Sequence, residues 1–176
     1  LKTKRSPSRT PEMTISLPPE TSSPPRLQPS GWLRYFSFSV DHKVIGLQYL
    51  VCGFVFYLIG GALAGAIRTE LTSPVSDFMA RDVYNQVLTL HGTVMIFLWI
   101  VPVVNGAFGN YLIPFYVGAR DMAFPRLNAV AFWLIPPAGL MLITSYFLTG
   151  AAQSGWTAYP PLSITTPATG QIIWIL

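Results

Sequence analysis

"VIGLQYLVCGFVFYLIGGALAGAI", residues 44–67, contains no Asp, Glu, Lys or Arg, and its reading decides the fold. About 20 apolar residues carry a helix across a bilayer, so the stretch is long enough to span. The pattern recurs outward from it. Residues 83–119 contain no charged side chain, only His91, and none follows Arg126. Of 176 residues, 51% are hydrophobic and 10% charged, against about 25% charged in soluble domains. The chain is therefore expected to be all-α, a polytopic transmembrane helical bundle. Spans are expected near 44–67, 84–117 and 125–148, with a fourth starting near 171 at "QIIWIL".

Residues 1–30 hold seven of the 16 prolines and many Ser and Thr. Such a stretch buries too little apolar surface to offset its ordering entropy, so it reads as a disordered tail. "GWLRYFSFS", 31–39, reads as interfacial, with Trp32, Tyr35 and Phe36 at headgroup level and Arg34 on lipid phosphates. Gly53, Gly60, Gly61 and Gly65 allow close helix contact along the first span. Pro102 and Gly106 predict a kink in the long second span. Pro125 suits the first turn of the third, which "IPP", 135–137, should bend or break. The lone Cys52 forms no internal disulfide and reads as a small core residue. No internal repeat or nucleic-acid module is present.

The net charge of +4 reflects topology. Arg34, Lys43, Arg120 and Arg126 flank one side of the spans, and Arg68 and Arg81 flank the other. The basic excess places the N-terminus and the 118–126 loop in the cytoplasm, and the 68–82 and 149–170 loops outside. His91 then lies in the outer half of the second span.

An imidazole inside an apolar segment is costly unless something holds it. His91 either hydrogen-bonds a neighbouring helix or ligates a metal or heme iron, a common role of neutral imidazole. Gly92 leaves room beside it, and Phe97 and Trp99 would suit a flat apolar ligand or lipid equally. Arg68 is either a snorkelling interfacial arginine or the partner of a cofactor's polar group. Glu70 either pairs with Arg68 or binds a cation. Asp121 is either a loop carboxylate paired with Arg120 or Arg126, or, with Asn110 and Asn128 above it, the mouth of a water-ordering proton path. Trp156 and Tyr159 are interfacial aromatics or, for Trp156, an indole donor toward a cofactor's acidic edge.

"DHKVIGLQYL", "IRTEL", "YNQVLTLHGTVMIF", "GNYLIPFYVGARDMAFPRLNAVAFWLIPP" and "GWTAYPPL" closely resemble the subunit I family of heme–copper oxidases, the cytochrome c oxidases, in order and spacing over residues 41–176. The details look most like cyanobacterial versions. The resemblance implies a catalytic subunit that reduces O2 to water with electrons from cytochrome c and pumps protons. It implies that His91 is one axial ligand of low-spin heme a, with Arg68 near the heme formyl group and Trp156 near the propionates. Asp121 matches the proton-channel entrance, Asn110 and Asn128 the channel asparagines, and Glu70 a residue near a cation site. The implied partners are oxidase subunits II and III, a soluble donor through subunit II, and the lipid bilayer of a bacterial plasma membrane or cyanobacterial thylakoid.

The family fold has twelve spans. The second ligand of heme a and the ligands of the high-spin heme and copper B are expected outside this chain. His42, at the opposite end of the first span from His91, cannot substitute. The sequence therefore reads as the N-terminal part of that subunit, inactive toward O2 by itself. Two other readings compete: a quinol oxidase, and a cofactor-free helical membrane protein. The outer part of the first span has no acid or base before Arg68, which favours a soluble donor over a quinol.

Overall fold

The computed structural model describes residues 31–75, 78–148 and 150–165. The disordered-tail reading for 1–30 and the fourth span near 171 lie outside the described residues. Three helices are long and apolar enough to cross a membrane: α1, His42–Glu70; α2, Arg81–Val117; and α3, Pro125–Leu148. A single-turn helix, α4, Leu162–Thr165, follows.

Each span starts and stops for a local reason. The Asp41 carboxylate caps α1, accepting from Lys43 N at 2.9 Å, which satisfies an amide the helix cannot. Arg68 and Glu70 continue the helix, so α1 outruns the uncharged stretch at both ends. α2 opens with Asp82 in its first turn, where a carboxylate meets the positive end of the helix dipole. It closes on Gly118 in the left-handed region, φ 72°. There Ala119 N bonds Pro114 O at 2.9 Å and Gly118 N bonds Phe115 O at 3.3 Å, a Schellman ending. Pro125 opens α3 as expected.

The internal prolines do not interrupt the spans. Around Pro102, α2 adopts wide turns: Val101 N bonds Ile96 O, and Gly109 N bonds Val104 O, each five residues back. Proline lacks an N–H, and its ring crowds the carbonyl four residues earlier. Widening the turn relieves both problems without ending the helix. Pro136 and Pro137 lie inside α3, which runs through them unbroken. The ring of Phe56 on α1 fills the space beside Gly139 in the next turn, so packing supports the helix at its weakest point.

α1 packs along the whole of α2, and α3 packs across both. The α1–α2 seam is built on Gly46, Gly53 and Gly60, spaced seven residues apart, the repeat that keeps one face on a neighbouring helix. A Cβ on Gly46 would lie 3.1 Å from Ala107 O, on Gly53 2.6 Å from Val103 Cγ2, and on Gly60 2.5 Å from Met95 Sδ. Gly61 and Gly65, also read as contact residues, face open space. Two apolar layers fill the bundle. Ile45, Tyr49, Ala107, Ala129 and Phe132 form one. Phe56, Leu90, Val94, Leu98 and Leu142 form the other.

The interfacial segment is a short 3-10 turn, Gly31–Phe36, with Trp32 and Phe36 exposed. Buried Gln48 ties it to α1, its Nε2 donating to Tyr35 O and Ser37 O, each at 2.9 Å.

Candidate functional site

His91 lies on α2 and reaches across to α1. Its Nδ1 is 2.9 Å from Gly60 O. A carbonyl only accepts, so Nδ1 carries the hydrogen. In the neutral ring the lone pair is then fixed on Nε2, the nitrogen left to ligate. This is how metal-binding histidines are commonly oriented, by a hydrogen bond from the second nitrogen. It rests on two features of the seam. Gly60 has no side chain to hold the helices apart, and Met95 fills the remaining space. The two readings of His91 are therefore compatible: it bonds a neighbouring helix with one nitrogen and keeps the other free.

Trp156 comes to the same level from the segment that follows α3. The room beside Gly92 is taken by its indole, with Cδ1 3.2 Å from where a Cβ on Gly92 would lie. Its ring meets Phe97 at 6.1 Å between centroids, interplanar angle 64°. The loop is no loose connection: Ala151, Ala152 and Ser154 are buried. Gly155 N donates to Thr89 Oγ1 at 2.9 Å, a link between residues far apart in sequence that no pattern exposed.

Arg68 is exposed near the end of α1. Glu70 does not pair with it; Glu70 Oε2 accepts from Met79 N at 3.0 Å and closes the loop between α1 and α2. Among the described residues, no three His, Cys, Asp or Glu side chains converge as a metal group.

The polar set at the other end of the bundle divides in two. Asn110, 4% exposed, donates through Nδ2 to Gly106 O at 2.6 Å. Its Oδ1 accepts from Asn128 Nδ2, joining α2 to α3. Asp121 pairs with neither Arg120 nor Arg126. Its Oδ1 lies 3.1 Å from Nδ1 of buried His42 and accepts from Met122 N at 2.8 Å. His42, too far from His91 to share a ligand with it, is instead the partner of Asp121. Gly46, one turn along α1 from His42, lies against Asn110, with Asn110 Cβ 3.6 Å from an added Cβ. The His42–Asp121 pair is thus about 6 Å further along α1 than the asparagines.

The fold defines an integral membrane protein of the polytopic helical class. Its place within that class is also clear. A family model described as Cytochrome C and Quinol oxidase polypeptide I matches residues 44–176, and the chain belongs to that family. It is 64% identical over 145 residues to cytochrome c oxidase subunit 1 of Thermostichus vulcanus, covering 82% of this chain and 26% of the relative. It is 58% identical over 164 residues to cytochrome c oxidase subunit 1 of Synechocystis sp., covering 93% and 29%. The Corynebacterium glutamicum subunit of the same name is 43% identical over 164 residues, covering 88% and 28%. The chain thus spans 26 to 29% of the length of these curated relatives.

Proposed function

We propose that this chain is part of the catalytic subunit of a proton-pumping cytochrome c oxidase, which reduces O2 to water with electrons from cytochrome c. The observation that carries the reading is the His91–Gly60 bond, which leaves Nε2 as the ligating nitrogen of a half-buried imidazole in a bilayer helix. His91 is proposed to be one axial ligand of low-spin heme a. That heme, when bound, supplies reversible one-electron chemistry at iron. The residues fit such a group: the tautomer is right, and Phe97 and Trp156 offer aromatic faces nearby. Trp156 and Arg68 are assigned to the heme's polar edge, and Glu70 to a cation site.

Asp121, Asn110 and Asn128 are proposed to begin a proton path. Asp121 is 41% exposed and holds Oδ1 in two hydrogen bonds. Oδ2 is then the oxygen that takes a proton from the cytoplasm. The Asn110–Asn128 pair is the next polar step inward, where amide groups can order water. This orientation puts the N-terminus in the cytoplasm of a plasma or thylakoid membrane. The remaining heme and copper ligands belong to other parts of the subunit: the chain has two histidines, and His42 is engaged by Asp121. By itself the chain is proposed not to turn over O2. Subunits II and III are the proposed neighbours, with subunit II receiving the donor.

The test is His91→Ala in the assembled oxidase. The expected result is loss of the low-spin heme absorption band and of cytochrome c oxidation, with the subunit still in the membrane. An unchanged low-spin band in that variant excludes His91 as a ligand. A quinol donor is the second reading, because the family includes quinol oxidases by description. Oxidation of a quinol, with reduced cytochrome c left untouched, would establish it.

A further inference from the structure

Thr89 is 1% exposed and sits in the bilayer helix that carries His91, yet its role is not exhausted by its own helix. Its hydroxyl donates to Asn85 O at 2.8 Å, the usual local bond of a helical threonine. The oxygen has a further lone pair, and this is filled from outside: Gly155 N donates to it at 2.9 Å. Gly155 opens a turn, for Ala158 N bonds Gly155 O at 3.2 Å. Trp156 is the second residue of that turn. Gly155 has φ 75°, a backbone conformation that favours glycine. Thr89 therefore grips the first residue of the turn that aims Trp156. Gly92, one helical turn from Thr89 on the same side of α2, receives the indole, and Phe97 bounds its other edge.

We infer that Thr89 is a positioning residue, whose hydroxyl fixes the outer loop so that Trp156 is held beside the His91 ligand position. The inference rests on the proposed role of Trp156 at the heme's polar edge and adds the residue that sets its place. Trp156 is 45% exposed, so burial alone does not settle where its ring lies. The bond to Thr89, the Gly92 gap and the Phe97 edge do.

The experiment uses the assembled oxidase with Thr89→Val, which keeps the shape and loses the acceptor, Thr89→Ser, which keeps the acceptor, and Trp156→Phe. The first readout needs no heme: hydrogen exchange at the 155 amide should quicken roughly 2- to 13-fold in Thr89→Val, as loss of one net hydrogen bond implies, and return to the parent rate in Thr89→Ser. The second is the low-spin heme band. Thr89→Val should shift it in the same direction as Trp156→Phe, and the double variant should add nothing to Trp156→Phe alone. A Trp156→Phe shift with an unchanged band in Thr89→Val overturns the role of Thr89 and leaves that of Trp156 standing. No shift in Trp156→Phe overturns both. Should Thr89→Val fail to assemble, Thr89→Ala removes the same acceptor, and parent-like exchange and band in it refute the inference.

Discussion

Gly60→Ala concentrates the reasoning about the site into one methyl group. The new Cβ would lie 2.5 Å from Met95 Sδ, 3.0 Å from Met95 Cγ and 3.5 Å from Val94 Cγ1. The sulfur can swing away, because methionine is unbranched and adaptable. Cγ is closer to the backbone and has less freedom, and Val94 is stiff at χ1. Part of the overlap must therefore be relieved by α1 moving off α2. The bond from His91 Nδ1 to Gly60 O starts at 2.9 Å. A retreat of about 0.7 Å takes it to the edge of hydrogen-bond range. His91 then loses the contact that fixes its tautomer. Losing an outer-shell partner typically costs a metal ligand 10- to 100-fold in affinity, or about 1.4–2.8 kcal/mol.

With His91 as the proposed heme ligand, the assay is heme retention. The assembled oxidase is purified in detergent with Gly60→Ala, Met95→Ala and the pair, and low-spin heme content is followed during dialysis against a heme-binding protein. The expected order is faster loss in Gly60→Ala and recovery toward the parent in the pair, because Met95→Ala opens the space that the methyl needs. Unchanged retention in Gly60→Ala would refute the argument that the seam orients His91. A failure of Met95→Ala to relieve it would show that the methyl acts through something other than this clash.

Gly53→Ala should cost more stability than Gly60→Ala, about 1–3 kcal/mol, because Val103 Cγ2 at 2.6 Å is on a rigid side chain; denaturant titration of the detergent-solubilised subunit measures it, and Val103→Ala should relieve it. Asn128→Leu leaves Asn110 Oδ1 buried without its donor, a loss of about 1–3 kcal/mol, and on the proposed proton path it should also lower the proton-to-electron ratio measured in vesicles. His42→Phe removes the side-chain donor to Asp121 while Met122 N remains. On the proposed proton path it should slow proton uptake through Asp121 and leave the proposed low-spin heme band in place, since His42 lies 18 residues along α1 from Gly60.

Charge-free length told where the spans are, and α3 matches its expected bounds. The same signal understated α1, because a capping Asp41 and helical Arg68 and Glu70 are polar residues that a hydropathy reading trims away. The effect of the prolines was legible only as trouble in the helix. Whether a proline breaks, kinks or widens a helix depends on what packs beside it, and Phe56 against Gly139 is a contact between different spans. The glycines show the same limit. Small-residue spacing identified Gly53 and Gly60, but it equally selected Gly61 and Gly65, which point away from α2. The seven-residue repeat through Gly46 separates the two sets. His91 stood out because it is alone among apolar residues. His42 did not, because its partner is 79 positions away and a histidine at a helix start near the interface needs no special account. Thr89 was hidden for the same reason: its second bond comes from 66 residues away.

The Gly46–Gly53–Gly60 repeat also explains how two polar sites coexist in one apolar bundle. At Gly60 the close approach brings a backbone carbonyl to His91; at Gly46 it brings α1 against Asn110. Between them, Gly53 admits Val103, with the apolar layers of Tyr49 and Phe132 on one side and Phe56 and Leu98 on the other. Fourteen residues of helix separate the outer glycines, about 21 Å. A seam opened at either end would lose a polar partner there: Gly60 O for His91, or the wall that keeps Asn110 buried and bonded to Asn128. An unpaired buried polar group is costly, so both ends resist separation. On the proposed reading, this lets one pair of helices hold an electron-carrying ligand near one membrane surface and a proton entry near the other, with two packed apolar clusters between them.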